Sequence, residues 1–167
     1  MRFEKITKRQ FMTDCAGKYG FSYDDIKLPK RSTAQSAGYD FFSPMDITLL
    51  PGESIKVPTG IKFRCDSDKF LGAYPRSGHG FKYGVMLVNT VGIIDADYYN
   101  NPGNEGHIWV KLVYPPHASV NINPLVIKKG EAVFQGIIQP YYTVEDDDAD
   151  GERTGGFGST DKKVLHG

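Results

Sequence analysis

The sequence predicts an all-β chain, a jelly-roll-like sandwich or barrel, with an N-terminal helix and a flexible C-terminal arm. Three observations carry this. Short β-branched and aromatic runs recur at roughly 8–12-residue spacing from about residue 37 to residue 140, with turn residues between them. Helical spacing of apolar residues is confined to the head. Glycine supplies 19 of 167 residues, about 11% against ~7% in an average protein, which asks for many tight turns or close backbone approaches.

Each element follows from its residues. In the head, Thr7-Lys8-Arg9-Gln10 fits a capping box. Phe11, Met12, Cys15, Ala16 and Tyr19 then recur every three or four residues, and Gly20 suits a C-cap. This reads as a helix packing one face on the core. Strands are expected at 46–50, 54–57, 60–64, 70–74, 85–88, 107–113, 119–122 and 132–138, punctuated by Pro51-Gly52, Pro58-Thr59-Gly60, 100–104 and Lys129-Gly130. Residues 145–152 form an acidic linker, and 153–160 are glycine-rich around a single phenylalanine, which suits an arm better than a core strand. The division expected is a helical extension over 1–30, a β core over 31–144, and linker plus arm over 145–167.

Composition bounds the function. With 40% apolar, 13% aromatic and 24% charged residues, the chain reads as one soluble globular domain. A net charge of zero argues against binding nucleic acid by bulk electrostatics. The zero hides unequal parts: residues 1–35 hold eight basic and four acidic side chains, whereas 141–152 hold six acids and no base. Cys15 and Cys65 form no pairing motif and read as two reduced thiols. No run approaches the ~20 apolar residues of a membrane span, and no apolar signal region follows the first five residues, so a cytoplasmic protein is expected.

Three segments carry chemistry. In Pro75-Arg76-Ser77-Gly78 a guanidinium suited to bidentate phosphate binding sits beside a hydroxyl and a glycine; the same residues also suit an exposed turn. The apolar run 91–94 delivers Asp95 to a turn, with Asp97 and Tyr98 beyond it. Asp95 is placed as a general base for water or, alternatively, is one of two surface aspartates at a turn. The arm combines Arg153, Phe157, Ser159 and Thr160 with Gly155, Gly156 and Gly158, the content of a lid that orders on a planar ligand, or of a plain tail.

Five segments in order resemble the five motifs of the homotrimeric dUTPase family. They are 37–40 (Ala-Gly-Tyr-Asp), 75–78 (Pro-Arg-Ser-Gly), 92–98 (Gly-Ile-Ile-Asp-Ala-Asp-Tyr), 130–135 (Gly-Glu-Ala-Val-Phe-Gln) and 153–160 (Arg-Thr-Gly-Gly-Phe-Gly-Ser-Thr). The resemblance implies a jelly-roll subunit that assembles as a homotrimer and hydrolyses dUTP to dUMP and pyrophosphate with Mg²⁺. It implies sites at subunit interfaces, each closed by a neighbour's arm. Asp95 matches the family's general base, and Arg76, Ser77, Gly78 and Gln135 match phosphate contacts. Tyr98 matches the residue against the deoxyribose. Asn89 and the backbone of Ile93 and Ile94 match the uracil hairpin. Phe157 matches the stacking residue, with Arg153, Gly158, Ser159 and Thr160 near the phosphates. Asp40 matches a carboxylate that holds metal-bound water.

The chain departs from that pattern in four places. Residues 99–106 lengthen the turn after Tyr98, His79 replaces an apolar residue, Glu131-Ala132 stands where Asp-Arg is common, and the head has no counterpart. Two rivals share the scaffold. A dCTP deaminase would want a glutamate near the hairpin and no glycine-rich arm. A non-catalytic interaction protein would use the head and the lengthened loop.

Overall fold

The structure is a computed structural model that describes residues 1–116, 123–153 and 156. The expected strand at 119–122, and Phe157, Gly158, Ser159 and Thr160 of the arm, lie outside the described residues. Among the described residues no helix is long and apolar enough to cross a membrane.

The strands are short and pair antiparallel throughout. One sheet is ordered β2 (Tyr39–Phe42), β11 (Ala132–Pro140), β6 (Lys69–Pro75), β8 (Gly92–Ile94). A second is ordered β4 (Ser54–Pro58), β9 (Trp109–Val113), β7 (Met86–Leu87). β1 (Arg2–Lys5) pairs with β5 (Ile61–Arg64), and β3 (Ile47–Leu49) with β10 (Leu125–Ile127). β3 and β10 alternate strictly: Ile47, Leu49, Leu125 and Ile127 are buried while Thr48 and Val126 face out. That is the period-two signature of a sheet with one wet face. Phe41 and Phe134 are cross-strand partners in the first sheet and stack at 4.3 Å, and Phe3 of β1 packs edge-on to Phe41 at 5.5 Å, which joins the β1–β5 pair to that sheet. This is the jelly-roll-like β architecture expected.

The head differs from the single helix expected. Arg2–Lys5 is a strand, with Phe3 opposite Phe63 in β5, so the chain begins inside the sheet structure. The helix α1 (Lys8–Asp14) follows, with Thr7 at its N-cap accepting from the Gln10 N–H at 3.1 Å. It stops at Cys15, well before Gly20, because Gly17 takes φ 71°. The apolar stripe is narrower than expected: Phe11 and Cys15 are buried while Met12 faces out, and burial pushes the Cys15 thiol up to about 12.

A second helix, α2 (Ser77–Tyr83), stands where a turn was expected. Gly78 and Gly80 hide its periodicity in the sequence. Gly84 ends it in the left-handed region at φ 64°, with its N–H bonded back to the Gly80 carbonyl at 2.8 Å.

Candidate functional site

Two clefts gather the residues singled out from the sequence. The first lies where β2, β11 and the β6–α2 junction meet. β11 runs between β2 and β6, with Gln135 opposite Asp40 on one side and Tyr74 on the other. Gln135 donates to the Pro75 carbonyl at 3.1 Å, which ties it to the start of α2. A Cβ on Gly38 would lie 2.5 Å from the Gln135 Oε1, so a side chain there would displace the amide. Arg76 is the N-cap of α2, and Ser77 and Gly78 supply the first helical amides, which have no partner within a helix. The Arg76 Nε lies 3.2 Å from Asp40, whose other oxygen accepts from Ser32 at 2.6 Å. Gly38, Asp40, Arg76, Ser77 and Gln135 line a cleft of about 370 Å³. It holds a part-exposed guanidinium, serine hydroxyls, a side-chain amide and one carboxylate, a set suited to an anionic ligand carrying a cation. Beside it, His79 is half-buried; burial and then the Arg76 charge push its pKa below the ordinary value.

The second cleft is built on the connection between β7 and β8, two strands that pair in different sheets. β8 is an edge strand of its sheet, so among the described residues one row of its backbone groups has no strand partner. The turn is strained: Thr90 sits at φ 59°, a region that β-branched residues avoid. Ile94 is buried opposite Leu71 and anchors the strand, while Ile93 is exposed. Asp95 ends the strand half-exposed and caps a single 3₁₀ turn, Ala96–Tyr98, which brings Tyr98 back into the same cleft. Asn89, Ile93, Ile94, Asp95, Tyr98 and Arg153 all line this space of about 230 Å³.

Arg153 is not free in this chain. Its Nη2 lies 2.5 Å from Asp95 and its Nε 2.7 Å from Asp97, so the arm clamps both carboxylates that follow β8. Gly156 lies on the Tyr98 ring: a Cβ there would sit 2.6 Å from Cε2. The two clefts share no lining residue. One chain therefore brings Asp95, Tyr98, Asn89 and Arg153 together, and brings Asp40, Arg76, Ser77 and Gln135 together, but keeps the two sets apart.

A third group of residues escaped the sequence reading. His107 is fully buried; its Nε2 accepts from the Gly60 N–H at 2.9 Å, so its proton sits on Nδ1, 2.6 Å from Asp14. Burial pushes His107 below the ordinary histidine value, against the opposing pull of Asp14. For Asp14, burial acts upward, but hydrogen bonds from His107 and Gln10 outweigh it and hold the carboxyl low. The loop after Tyr98 is tied to the head as well: Thr7 donates to Glu105 through N (3.0 Å) and Oγ1 (2.5 Å), and Tyr99 donates to Glu4 at 2.9 Å. The two unusual segments of the sequence are thus each other's partners.

An antiparallel jelly-roll-like subunit with an arginine–hydroxyl–amide corner in one cleft and a carboxylate beside an open edge strand in another belongs, by fold and site, to proteins that handle phosphorylated ligands. The sequence matches the dUTPase family over residues 24–160. It is 43% identical over 137 residues to the deoxyuridine 5'-triphosphate nucleotidohydrolase of Lactococcus lactis, spanning 81% of this chain and 88% of that one. Among solved structures, a dUTPase from Streptococcus mutans superposes with a TM-score of 0.67 at 34% identity, covering 87% of this chain and 99% of that one. A mutant dUTPase from phage phi11 of S. aureus, at 19% identity and TM-score 0.58 over 77% of this chain and 92% of that one, shares the fold; that protein coordinates a structural Mg(II) ion. The chain belongs to the dUTPase family. The match begins at Asp24, so β1 and α1 lie outside it.

Proposed function

We propose that this chain hydrolyses dUTP to dUMP and pyrophosphate, in a homotrimer whose sites each join the Asp95 cleft of one copy to the phosphate corner of another. The observation that carries this reading is the placement of Asp95 at the end of an edge strand with Tyr98 one turn further on in the same cleft. The separation of the two clefts supports the shared site, since neither holds both the base and the phosphate-binding groups.

The edge strand with Asn89 reads the uracil. Uracil offers O4 as acceptor and N3–H as donor; cytosine reverses this and would leave buried groups unpaired. Tyr98 lies under the deoxyribose. Arg76, Ser77, Gly78 and Gln135 hold the phosphates. Asp95 takes the proton of the water that attacks the α-phosphorus in line. For this, Arg153 must leave the Asp95 carboxylate, and the substrate's phosphates are the competing anion that draws it away. Phe157 of a neighbouring copy's arm then covers the base, with Gly158, Ser159 and Thr160 beside the phosphates.

The donor set fits Mg²⁺. This cation keeps several waters and is usually held by one or two carboxylates plus substrate phosphates, and Asp40 is a hard carboxylate beside the phosphate corner. When bound, Mg²⁺ supplies neutralisation of the triphosphate charge. A cytoplasmic setting belongs to the same proposal and suits two free cysteines.

The test is pyrophosphate release from dUTP, dCTP, dTTP and UTP, with and without Mg²⁺. Turnover of dUTP alone among the four, and only with the metal, is expected. Ammonia from dCTP, or no turnover of any of them, would overturn the reading.

A further inference from the structure

The Tyr98 hydroxyl is bonded twice within its own chain. It donates to the His107 carbonyl at 3.0 Å and accepts from the Asn104 Nδ2 at 2.7 Å. Burial pushes the phenol pKa up, which keeps that proton in place. Asn104 is itself fixed: its Oδ1 accepts from Asn101 Nδ2 at 2.8 Å and from the Gly106 N–H at 3.1 Å. Asn101 also donates to the Tyr98 carbonyl at 2.8 Å, so backbone and hydroxyl of Tyr98 are held by one asparagine pair.

Gly106 closes the loop. It sits at φ 77°, and a Cβ there would fall 2.4 Å from the Tyr98 carbonyl oxygen. Behind the loop stand Thr7 and Asp14 of the head, through Glu105 and His107. Tyr98 also lines the cleft, where Gly156 comes against the hydroxyl end of its ring.

We propose that Asn104 is a positioning and specificity-determining residue. Through the Tyr98 hydroxyl it fixes the ring against the sugar, and thereby sets how strongly the site rejects a ribose 2′-hydroxyl. The inference rests on the reading of Tyr98 as the sugar platform. A steric wall discriminates only if it cannot recede. The terminal torsion of a tyrosine is broad on its own. Here, tilting the ring to admit an extra oxygen must stretch one of two hydrogen bonds in a buried place, which costs far more than rocking a free ring. The lengthened loop and the head form the buttress that holds Asn104 still.

The experiment is steady-state kinetics with dUTP and UTP on the full chain, for the wild type, Asn104→Asp, Asn104→Ala, Tyr98→Phe, and the Tyr98→Phe/Asn104→Ala double variant. Asn104→Asp keeps the acceptor used by Asn101 and Gly106 and turns the donor toward Tyr98 into a second acceptor. The loop keeps its internal bonds while the hydroxyl has one proton for two acceptors. The ratio of kcat/KM for UTP over dUTP is expected to rise about 10-fold in both Asn104 variants, a shift on the scale of one buried hydrogen bond. KM for dUTP should rise more than kcat falls. Tyr98→Phe should reproduce the change, and the double variant should exceed neither single.

An unchanged ratio while dUTP turnover persists overturns the proposal. So does an equal loss for both substrates, which is what a merely structural residue would give, and so does full additivity in the double variant. Failure of the wild type to hydrolyse dUTP strikes instead at the reading on which the proposal rests.

Discussion

The floor under Tyr98 and the charged rim of the site are built in opposite ways. Under Tyr98, Asn101 and His107 are buried polar residues whose partners all come from the chain. At the rim, Arg76 is 40% exposed and Asp95 44% exposed, and their partners Asp40 and Arg153 are side chains that a ligand can displace. The difference has a physical logic. A shape filter must be stiff before the ligand arrives, so its hydrogen bonds are internal and shielded from water. Groups proposed to meet a triphosphate need free lone pairs and donors at the moment of binding, and ion pairs with one solvent-facing partner can exchange with a ligand's charges.

The sharpest way to break this comparison is at the rim. Asp95→Asn removes the proposed base while keeping the shape of the side chain. We expect kcat to fall by ~10²-fold or more with little change in dUTP binding. Near-normal turnover in this variant would remove Asp95 from its role.

The floor is tested next by Gly106→Ala. The left-handed φ of 77° and the 2.4 Å approach to the Tyr98 carbonyl both oppose a side chain. A loss of roughly 1–3 kcal/mol in unfolding free energy is expected, read as a lower urea midpoint. Gly78→Ala, at the rim, should leave stability nearly unchanged, because a Cβ there meets nothing within 4 Å. Equal losses at the two glycines would erase the contrast.

Smaller again is the cap. Thr7→Ala removes the acceptor for the Gln10 N–H and a hydroxyl bound to Glu105. About 1 kcal/mol is expected from thermal or chemical melts.

The smallest effect is pH dependence. A histidine pushed below its unfolded pKa of 6.5 binds its proton more readily in the unfolded chain. The His107 contribution is therefore complete above pH 6.5 and is lost as pH falls below it, when protonation of Nε2 breaks the Gly60 bond. The fall in urea midpoint between about pH 7.5 and about pH 5.5 should shrink in His107→Gln. An identical fall would exclude His107 as its source.

How much of this was legible in the sequence follows from the reach of each interaction. Short β-branched and aromatic runs between turn residues revealed β3, β4, β5, β6 and β9, because strand propensity and turn chemistry are local properties. β1 was missed because Arg2-Phe3-Glu4-Lys5 offers a single apolar residue, and its strand character comes from pairing with β5. α2 was missed because Gly78 and Gly80 erase the helical pattern. The motif segments were legible, since each sits in a run of four to eight residues, and the structure gathers Asp40, Arg76, Ser77 and Gln135 in one cleft and Asn89, Asp95, Tyr98 and Arg153 in another. The buttress was not. Thr7 meets Glu105 across 98 positions and Asp14 meets His107 across 93, and nothing in either segment alone points to the other. The capping box shows the boundary well: the Thr7 half is present, while the Thr7 N–H goes to Glu105.

The central claim is that one working site draws the Asp95 cleft from one copy and the Arg76 corner from another. Subunit mixing tests it most directly. Asp95→Asn and Arg76→Ala chains, each nearly inactive alone, are unfolded together, refolded as mixed assemblies and assayed for pyrophosphate release from dUTP. Recovery of a substantial fraction of wild-type activity in the mixture, absent when the two are refolded separately and then combined, is the result expected. Mixed assemblies no more active than their parents would contradict the shared site.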